Sequence, residues 1–358
     1  MLYLHGAGHF HPHNEITNAF LAALDIGTTD DWIVERTGIH SRRTVLDLDY
    51  IRETRNRDVR AAGEATTHTN AELGARAAEM AIERAGIDRE EIGMVLAGGS
   101  LPDRAAPAEA CAIAAELGLS VPAIDVRSAC TSFLAALDLL SRMRVEALAP
   151  YVLVVTPETI TRSVDYNDRN AAVLWGDGAA AAVVSNRCPA PAVITHTLIE
   201  SNPGGYDKVE IPWAGHFTQE GRTVQTFAIK KSARVLRTIG VPAAGDANGA
   251  GAGRHFIGHQ ANLLMLESVC RMCDVDDALH HHNVERLGNT GAAGAPSVLS
   301  ECWDTFSDAA SGAAGAGVAE GTEVAMIGVG AGLTWAGAVV HFGARAAARI
   351  HASGGSNR

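Results

Sequence analysis

Apolar residues recur along this chain in two alternating rhythms. Short runs rich in Val, Ile and Ala are followed by longer stretches in which apolar positions return every three or four residues. The short runs predict strands at Ile92–Ala97, Ala123–Val126, Tyr151–Val155, Ala179–Val184, His255–Ile257, Val324–Ile327 and Trp335–Phe342. The longer ones predict helices at Ala71–Ala85, Ala106–Leu117, Thr131–Met143, Thr226–Ile239 and Asn262–Cys273. Strands and helices alternating over most of the chain are the mark of layered α/β architecture. Two glycine-alanine stretches, Pro242–Gly253 and Ala309–Gly321, read as surface loops or poorly ordered connections. The chain also repeats a local device. Gly176-Asp177-Gly178 runs into one buried strand and Gly328–Gly332 into another, which suggests a duplicated unit with its boundary near residue 188. At 358 residues two core units are expected, here 1–188 and 189–358.

Composition narrows the class. Hydrophobic residues make up 47% and aromatics only 5%, which suits closely packed α/β layers. With 29 basic against 41 acidic residues the net charge is −12, which excludes a general nucleic-acid binder. The first ten residues are too short and His-rich for a secretory segment, and no apolar run approaches the roughly 18 residues needed to span a bilayer, so a cytoplasmic protein is expected. Six cysteines are too sparse for a disulfide framework. Cys270 and Cys273 form C-x-x-C on a helical pattern without a second pair, so core packing is expected rather than zinc binding. The His280-His281-His282 run invites a metal reading too, but adjacent histidines on a strand face opposite ways, and a loop or strand start is expected there.

Three residues carry candidate chemistry. Cys130, in VRSACTSFLAALDLL, stands where a strand breaks into a helix; the helix dipole and unpaired N–H groups there favour a thiolate nucleophile, against the common role of a free cysteine as a packing residue. His259, in FIGHQANLLML, ends a short strand just before a helix, and Gln260 and Asn262 beside it are suited to cap that helix and fix the imidazole. Asn289, in RLGNTGAAGAPSVL, sits in a glycine-rich turn, where its plain role is an Asx turn or N-cap.

Cys, His and Asn in that order, each at a junction with a helix, resemble the β-ketoacyl synthase III group of thiolase-fold condensing enzymes. The resemblance extends over TTDDWIVERTGIHSRR (28–43), the Cys130 segment, NDRNAAVLWGDGAAAAVV (167–184), GHQAN (258–262), GNTGAAGAPS (288–297) and GVGAGLTWAGAVV (328–340). It implies a thiolase-like fold, a duplicated five-layer α-β-α-β-α arrangement. It also implies acyl transfer onto Cys130, with the oxyanion bound by the backbone N–H groups of Cys130 and Ala331, and enolate stabilisation by His259 and Asn289 in a Claisen condensation. Trp32, Arg36 and Arg169 fall where the family stacks and pairs with the adenine and phosphates of coenzyme A; their plain roles are a surface aromatic and solvated charges. The implied partners are acyl-CoA or acyl carrier protein and a second copy of the chain, with thioesters as substrates and no resident cofactor. Gly176, Asp177 and Gly178 are expected to build a turn rather than touch substrate.

Four departures qualify the picture. Ala331 replaces the usual glycine of its loop. Leu264 replaces an arginine associated with docking acyl carrier protein, leaving Lys230, Lys231, Arg234 and Arg271 as a candidate basic patch. Residues Val45 to Thr67 read as an insertion with a charged helical pattern, expected to be a solvated helix, with a dimer element or a lid as alternatives. Ala105 and Ala106 stand where short-chain relatives place a bulky Phe, leaving room for a longer acyl chain, while Glu109 is the nearest acidic residue to the position used as base by relatives that join two chains without decarboxylation. The opened pocket and the insertion keep a second reading in view, a ketosynthase joining two β-ketoacyl chains into an α-pyrone or dialkylresorcinol precursor. Acyl transfer to an alcohol or amine is a third, and a non-catalytic partner subunit a fourth.

Overall fold

The computed structural model describes residues 1–240, 254–311 and 321–343. Ten strands form its centre: β1 (Leu2–Phe10), β2 (Ile92–Ala97), β3 (Ala123–Asp125), β4 (Tyr151–Glu158), β5 (Gly178–Ser185), β6 (Ala192–Ser201), β7 (His255–Ile257), β8 (His280–His281), β9 (Thr322–Gly330) and β10 (Thr334–Phe342). The packing helices are α1 (Asn70–Ala85), α2 (Glu109–Glu116), α3 (Ser132–Arg142), α4 (Gly221–Thr238), α5 (Leu263–Cys273) and α6 (Gly294–Glu301).

Hydrogen bonding runs through all ten strands in the order β8-β7-β9-β10-β6-β1-β5-β4-β2-β3. The first five strands and the last five follow one plan. β2 is parallel to β3 and β4, β5 is antiparallel to β4, and β1 is antiparallel to β5; β7, β8, β9, β10 and β6 repeat these relations in the same sequence. The two units meet where Leu2, Tyr3 and Leu4 pair antiparallel with Ile194, Val193 and Ala192.

Alternation along the strands then dictates five layers. In β5, Ala179, Ala181 and Val183 face the outer helices α1 and α2, while Ala182 and Val184 face inward. In β9, Ala325, Ile327 and Val329 face α4 and α5, while Val324 and Met326 face inward. The inward sets of both units close on α3 and α6, a shared middle layer containing Phe133, Leu137, Leu140, Val298 and Leu299. Small residues are needed where helices lie close on sheets, which accounts for the alanine content. Cys270 and Cys273 pack into the outer core beside α4.

The predicted elements recur in the structure with shifted ends. α4 begins at Gly221 rather than Thr226 and α2 at Glu109 rather than Ala106. β1 and β6 are strands not predicted, because LYLHGAGHF and AVITHTLIES interrupt their apolar residues with His, Thr and Gly. Pro242–Gly253 lies outside the described residues, as do 312–320 of the second glycine-alanine stretch, whereas 309–311 continue a helix (Trp303–Ser311) instead of forming a loop. The Val45–Thr67 insertion does hold a short helix, Leu48–Thr54, with Asp49, Arg52 and Glu53 exposed, but the helix is two turns of a segment that is otherwise packed down. Thr67 N donates to Val45 O and closes it into a loop, and Leu46, Ile51 and Ala62 are buried in a satellite core with Tyr166, Trp175 and Phe217.

Because α3 is packed from both sides, it has little room to relax. Leu137→Ala should cost about 2–5 kcal/mol of folding stability, read as a lowered urea midpoint at unchanged slope. A loss below about 1 kcal/mol would show that the middle layer can collapse into the space.

Candidate active site

The turn between β3 and α3 carries Cys130. Ala129 adopts a left-handed backbone with φ of 44°, a conformation costly for a residue with a Cβ and kept only where the surroundings over-determine it. Hydroxyl groups supply that determination. Thr131 Oγ1 donates to Ser128 O at 2.7 Å, Ser132 Oγ donates to Ala129 O at 2.7 Å, and Ser128 N donates to Ser132 Oγ at 2.8 Å. The end of β9, from the other unit, lies against the same turn: a Cβ added at Gly330 would stand 3.1 Å from Cys130 N and 3.4 Å from Cys130 Cβ.

His259 follows β7 and is buried. Gln260 beside it is held on both sides, its Nε2 donating to Gly258 O at 2.8 Å and its Oε1 accepting from Asn283 N at 3.0 Å. Asn262 caps α5 by accepting from Met265 N, and its Nδ2 donates to Arg36 O at 3.1 Å. Asn289 is also buried, with its backbone N–H donating to Leu174 O at 2.8 Å and its carbonyl accepting from Gly176 N at 3.0 Å. Its Oδ1 accepts from Gly291 N at 3.0 Å, which turns the Nδ2 hydrogens into the free end of the carboxamide.

Cys130, His259, Asn289 and Ala331 line one cavity of about 470 Å³, together with Val173, Trp175, Phe217, Val224, Ala228, Met265 and Leu333. Trp32 and Arg36 line it as well. The guanidinium carbons of Arg36 and Arg169 lie 4.5 and 4.7 Å from the Trp32 ring centre, and Arg169 Nη1 donates to Gly27 O at 2.9 Å. Arg169 itself does not line the cavity, though Asp168 and Asn170 do. Ala106 is not brought to it; it lies exposed on the loop before α2. Glu109 is likewise elsewhere, its carboxylate accepting from Asp103 N at 2.8 Å and from Asn70 Nδ2 at 3.2 Å. Asp177 is fully buried and accepts from Val45 N and Thr161 N, tying the glycine turn to the insertion.

Electrostatics correct one expectation. Burial pushes the Cys130 thiol up to about 12; the Glu158 carboxylate adds to the rise, and the Ser100 hydroxyl and the cysteine's own N–H oppose it. That direction favours a resting thiol over the thiolate expected from its place before a helix. Thr131 and Ser132 N–H, which would have faced the anion, donate instead to Ser128 O and Ala129 O, and desolvation outweighs the dipole. Burial lowers His259 to about 4, so its imidazole is neutral at physiological pH. The arrangement is therefore a half-buried thiol facing two neutral donors. Such a site can take an acyl group on sulfur and then stabilise negative charge on an oxygen, without an ion pair to trap the resting state.

Two residues of this neighbourhood escaped the sequence reading. Glu158 ends β4 fully buried, and Ser100 hydrogen-bonds to it. The one available signal was an acidic side chain closing the apolar run YVLVVTPE.

Duplicated sheets closing on a shared helical layer, with a cysteine from one unit meeting a histidine and an asparagine from the other, define a thiolase-fold condensing enzyme. The chain belongs to the β-ketoacyl-acyl-carrier-protein synthase III family. Residues 124–203 match the model of 3-oxoacyl-[acyl-carrier-protein] synthase III and residues 252–342 that of its C-terminal part. The β-ketoacyl-[acyl-carrier-protein] synthase III of Aliarcobacter butzleri is 30% identical over 355 residues, covering 94% of this chain and 96% of that protein. Among solved structures, the 3-oxoacyl-[acyl-carrier-protein] synthase III of Aquifex aeolicus superposes with a TM-score of 0.78 at 26% identity, covering 96% of this chain and all of the other. The priming β-ketosynthase of the R1128 polyketide pathway gives 0.76 at 27% identity, with 96% of each chain covered. The protein is accordingly an acyl-transferring condensing enzyme.

A neutral His259 has a direct spectroscopic consequence. Because its folded pKa lies below the unfolded 6.5, protonation of this side chain opposes folding, and the associated stability is present above pH 6.5 and lost as pH falls toward 4. NMR of labelled histidine should find His259 still neutral at pH 5.5; a titration centred near 6.5 would show that the imidazole is solvated instead.

Proposed function

We propose that the protein condenses an acyl thioester with a malonyl-type thioester to give a β-ketoacyl product, in fatty acid or polyketide-type biosynthesis. The observation that carries this reading is the meeting of Cys130, His259, Asn289 and Ala331 on one largely apolar cavity. Cys130 Sγ attacks the thioester carbonyl, the thiol of the donor leaves, and the acyl group remains on sulfur. The oxyanion formed in that step is placed at the N–H groups of Cys130 and Ala331. Loss of carbon dioxide from the second thioester puts charge on its carbonyl oxygen as an enolate, for which His259 Nε2–H and Asn289 Nδ2–H are the donors. The enolate carbon then attacks the acyl-Cys130 carbonyl, the carbon–carbon bond forms and the C–S bond to Cys130 breaks.

Burial alone accounts for the His259 shift, with no charged partner contributing. That favours an imidazole acting as a neutral donor over one paired with a carboxylate as general base for an alcohol or amine acceptor. Glu109, held by Asp103 and Asn70 away from the cavity, is in no position within its own chain to serve as the base of a non-decarboxylative coupling.

Coenzyme A thioesters suit the solvent end of the site, where Trp32 offers a ring between Arg36 and Arg169 for adenine and phosphate groups. The basic patch considered for an acidic carrier is partly spent. Arg234 pairs with Glu200, Arg271 with Glu267, and Lys231 lies 3.8 Å over the Trp335 ring. No resident cofactor enters the proposed steps. A homodimer is supported by the free edge of β3, where Ile124 is 47% exposed, and a second copy is what would bring Ala106 to a pocket. No helix among the described residues is long and apolar enough to cross a membrane, and the cytoplasm is the compartment this reading expects.

Intact-mass spectrometry tests the scheme. Wild-type protein should gain one acyl mass on Cys130 from an acyl-CoA, and Cys130→Ala should gain none. His259→Ala and Asn289→Ala should still acylate, yet lose roughly 10²–10³-fold in condensation with malonyl thioester. Acylation of Cys130→Ala, or equal damage to both half-reactions in the other two variants, would refute these roles.

A further inference from the structure

One wall of the cavity comes from a hairpin too small to hold itself. Val209–Glu210 pairs antiparallel with Thr218–Gln219 through two residue pairs, and Val209, Phe217 and Gln219 line the cavity. An isolated hairpin of this size is marginal in water, so its position must be set by what it touches. Phe217 is anchored at its backbone, where its N–H donates to Ser163 O at 2.8 Å, and its ring stands edge-on to Trp175 with the ring centres 4.7 Å apart. The residue before it reaches further. His216 Nε2 lies 2.7 Å from Asn56 O, and because a carbonyl only accepts, the imidazole is the donor. Asn56 belongs to the Val45–Thr67 insertion and is fully buried, with a left-handed φ of 52° that asparagine tolerates. Its side chain fixes it there. Nδ2 donates to Arg162 O and Val164 O, both at 2.9 Å, and Oδ1 accepts from Tyr50 Oη at 2.9 Å. The insertion also backs the same wall with apolar side chains, since Leu46 and Ile51 share the satellite core with Phe217 and Trp175.

We propose that the insertion is a latch on the cavity wall, with His216 as the positioning residue that fastens the hairpin to Asn56, and that the group aligned by this wall is the pantetheine arm of a coenzyme A thioester. The latch rests on the reading that such a thioester enters past Trp32. Trp32 and Cys130 line the same cavity, so a ligand with its adenine at the first and its thioester at the second must lay the linking arm across the space between them. Neither His216 nor Asn56 lines that space, and both act through Phe217 rather than by touching the ligand. A wall already held in place spares the arm the cost of gathering it on binding.

Isothermal titration calorimetry of the whole protein with two probes tests the latch: coenzyme A, and its nucleotide end alone as adenosine 3′,5′-bisphosphate. His216→Ala should weaken coenzyme A roughly three- to tenfold, the worth of one hydrogen bond, and leave the nucleotide within about twofold, because Trp32 and the arginines beside it are untouched. His216→Gln, which keeps an N–H near the place of Nε2, should recover most of the loss. Hydrogen exchange of the same proteins should quicken over residues 209–219 in His216→Ala and stay as slow as in the wild type across the middle layer. Equal weakening of both probes, an unaltered affinity for coenzyme A in His216→Ala, no recovery in His216→Gln, or unchanged exchange over 209–219 would each overturn the proposal. If the wild-type protein binds neither probe while exchange over 209–219 still quickens in His216→Ala, the coenzyme A reading fails and the latch on the hairpin stands.

Discussion

The structure depends on a close approach between its two units at the Cys130 sulfur. Cys130 belongs to the turn after β3 in the first unit, and Gly330 belongs to the end of β9 in the second. They are near enough that a single methyl group at Gly330 would press on the Cys130 backbone. Neither unit holds the reactive group alone. The first contributes the sulfur; the second contributes His259, Asn289 and the loop of Ala331. The shared middle layer of α3 and α6 therefore does more than bury apolar surface, because it sets the distance between the nucleophile and the groups that stabilise charge.

That placement determines the electrostatics. Surrounding the three side chains with apolar walls raises the thiol and lowers the imidazole, which leaves both groups neutral at rest. Neutral donors in a low-dielectric site strengthen when charge develops on a substrate oxygen, whereas a resting ion pair would already have spent that energy. The same burial makes the thiol a poor nucleophile until its proton has somewhere to go. Glu158, fully buried at the end of β4, adds to the rise of the thiol, and its carboxylate accepts from Ser100 Oγ and from Ala292 N in the loop after Asn289.

Much of this was legible in the sequence, for identifiable reasons. β2, β4, β5, β9 and β10 are continuous apolar runs because both their faces are covered, and that pattern is readable without a structure. Cys130, His259 and Asn289 each lie beside a helix start with polar or glycine neighbours, a local signal that survives translation into three dimensions. What could not be read depended on contacts distant along the chain. β1 is a strand through its pairing with β5 and β6, not through its own propensity. The insertion looked solvated because its charges are local, while the burial of Leu46 and Ile51 depends on Tyr166 and Phe217 far along the chain. The thiolate expectation failed for the same reason: a helix dipole is visible in a sequence, but desolvation and a carboxylate from β4 are not.

The central claim is that one sulfur, clamped between the two units, carries the acyl group with its carbonyl oxygen at backbone donors from both. A crystal structure of the protein after brief exposure to an acyl-CoA tests it most directly. Density for an acyl group on Cys130 Sγ, with its carbonyl oxygen within hydrogen-bond distance of the N–H groups of Cys130 and Ala331 and its chain in the cavity, is the predicted result. An acyl group on another residue, or a carbonyl turned away from both donors, would contradict the account.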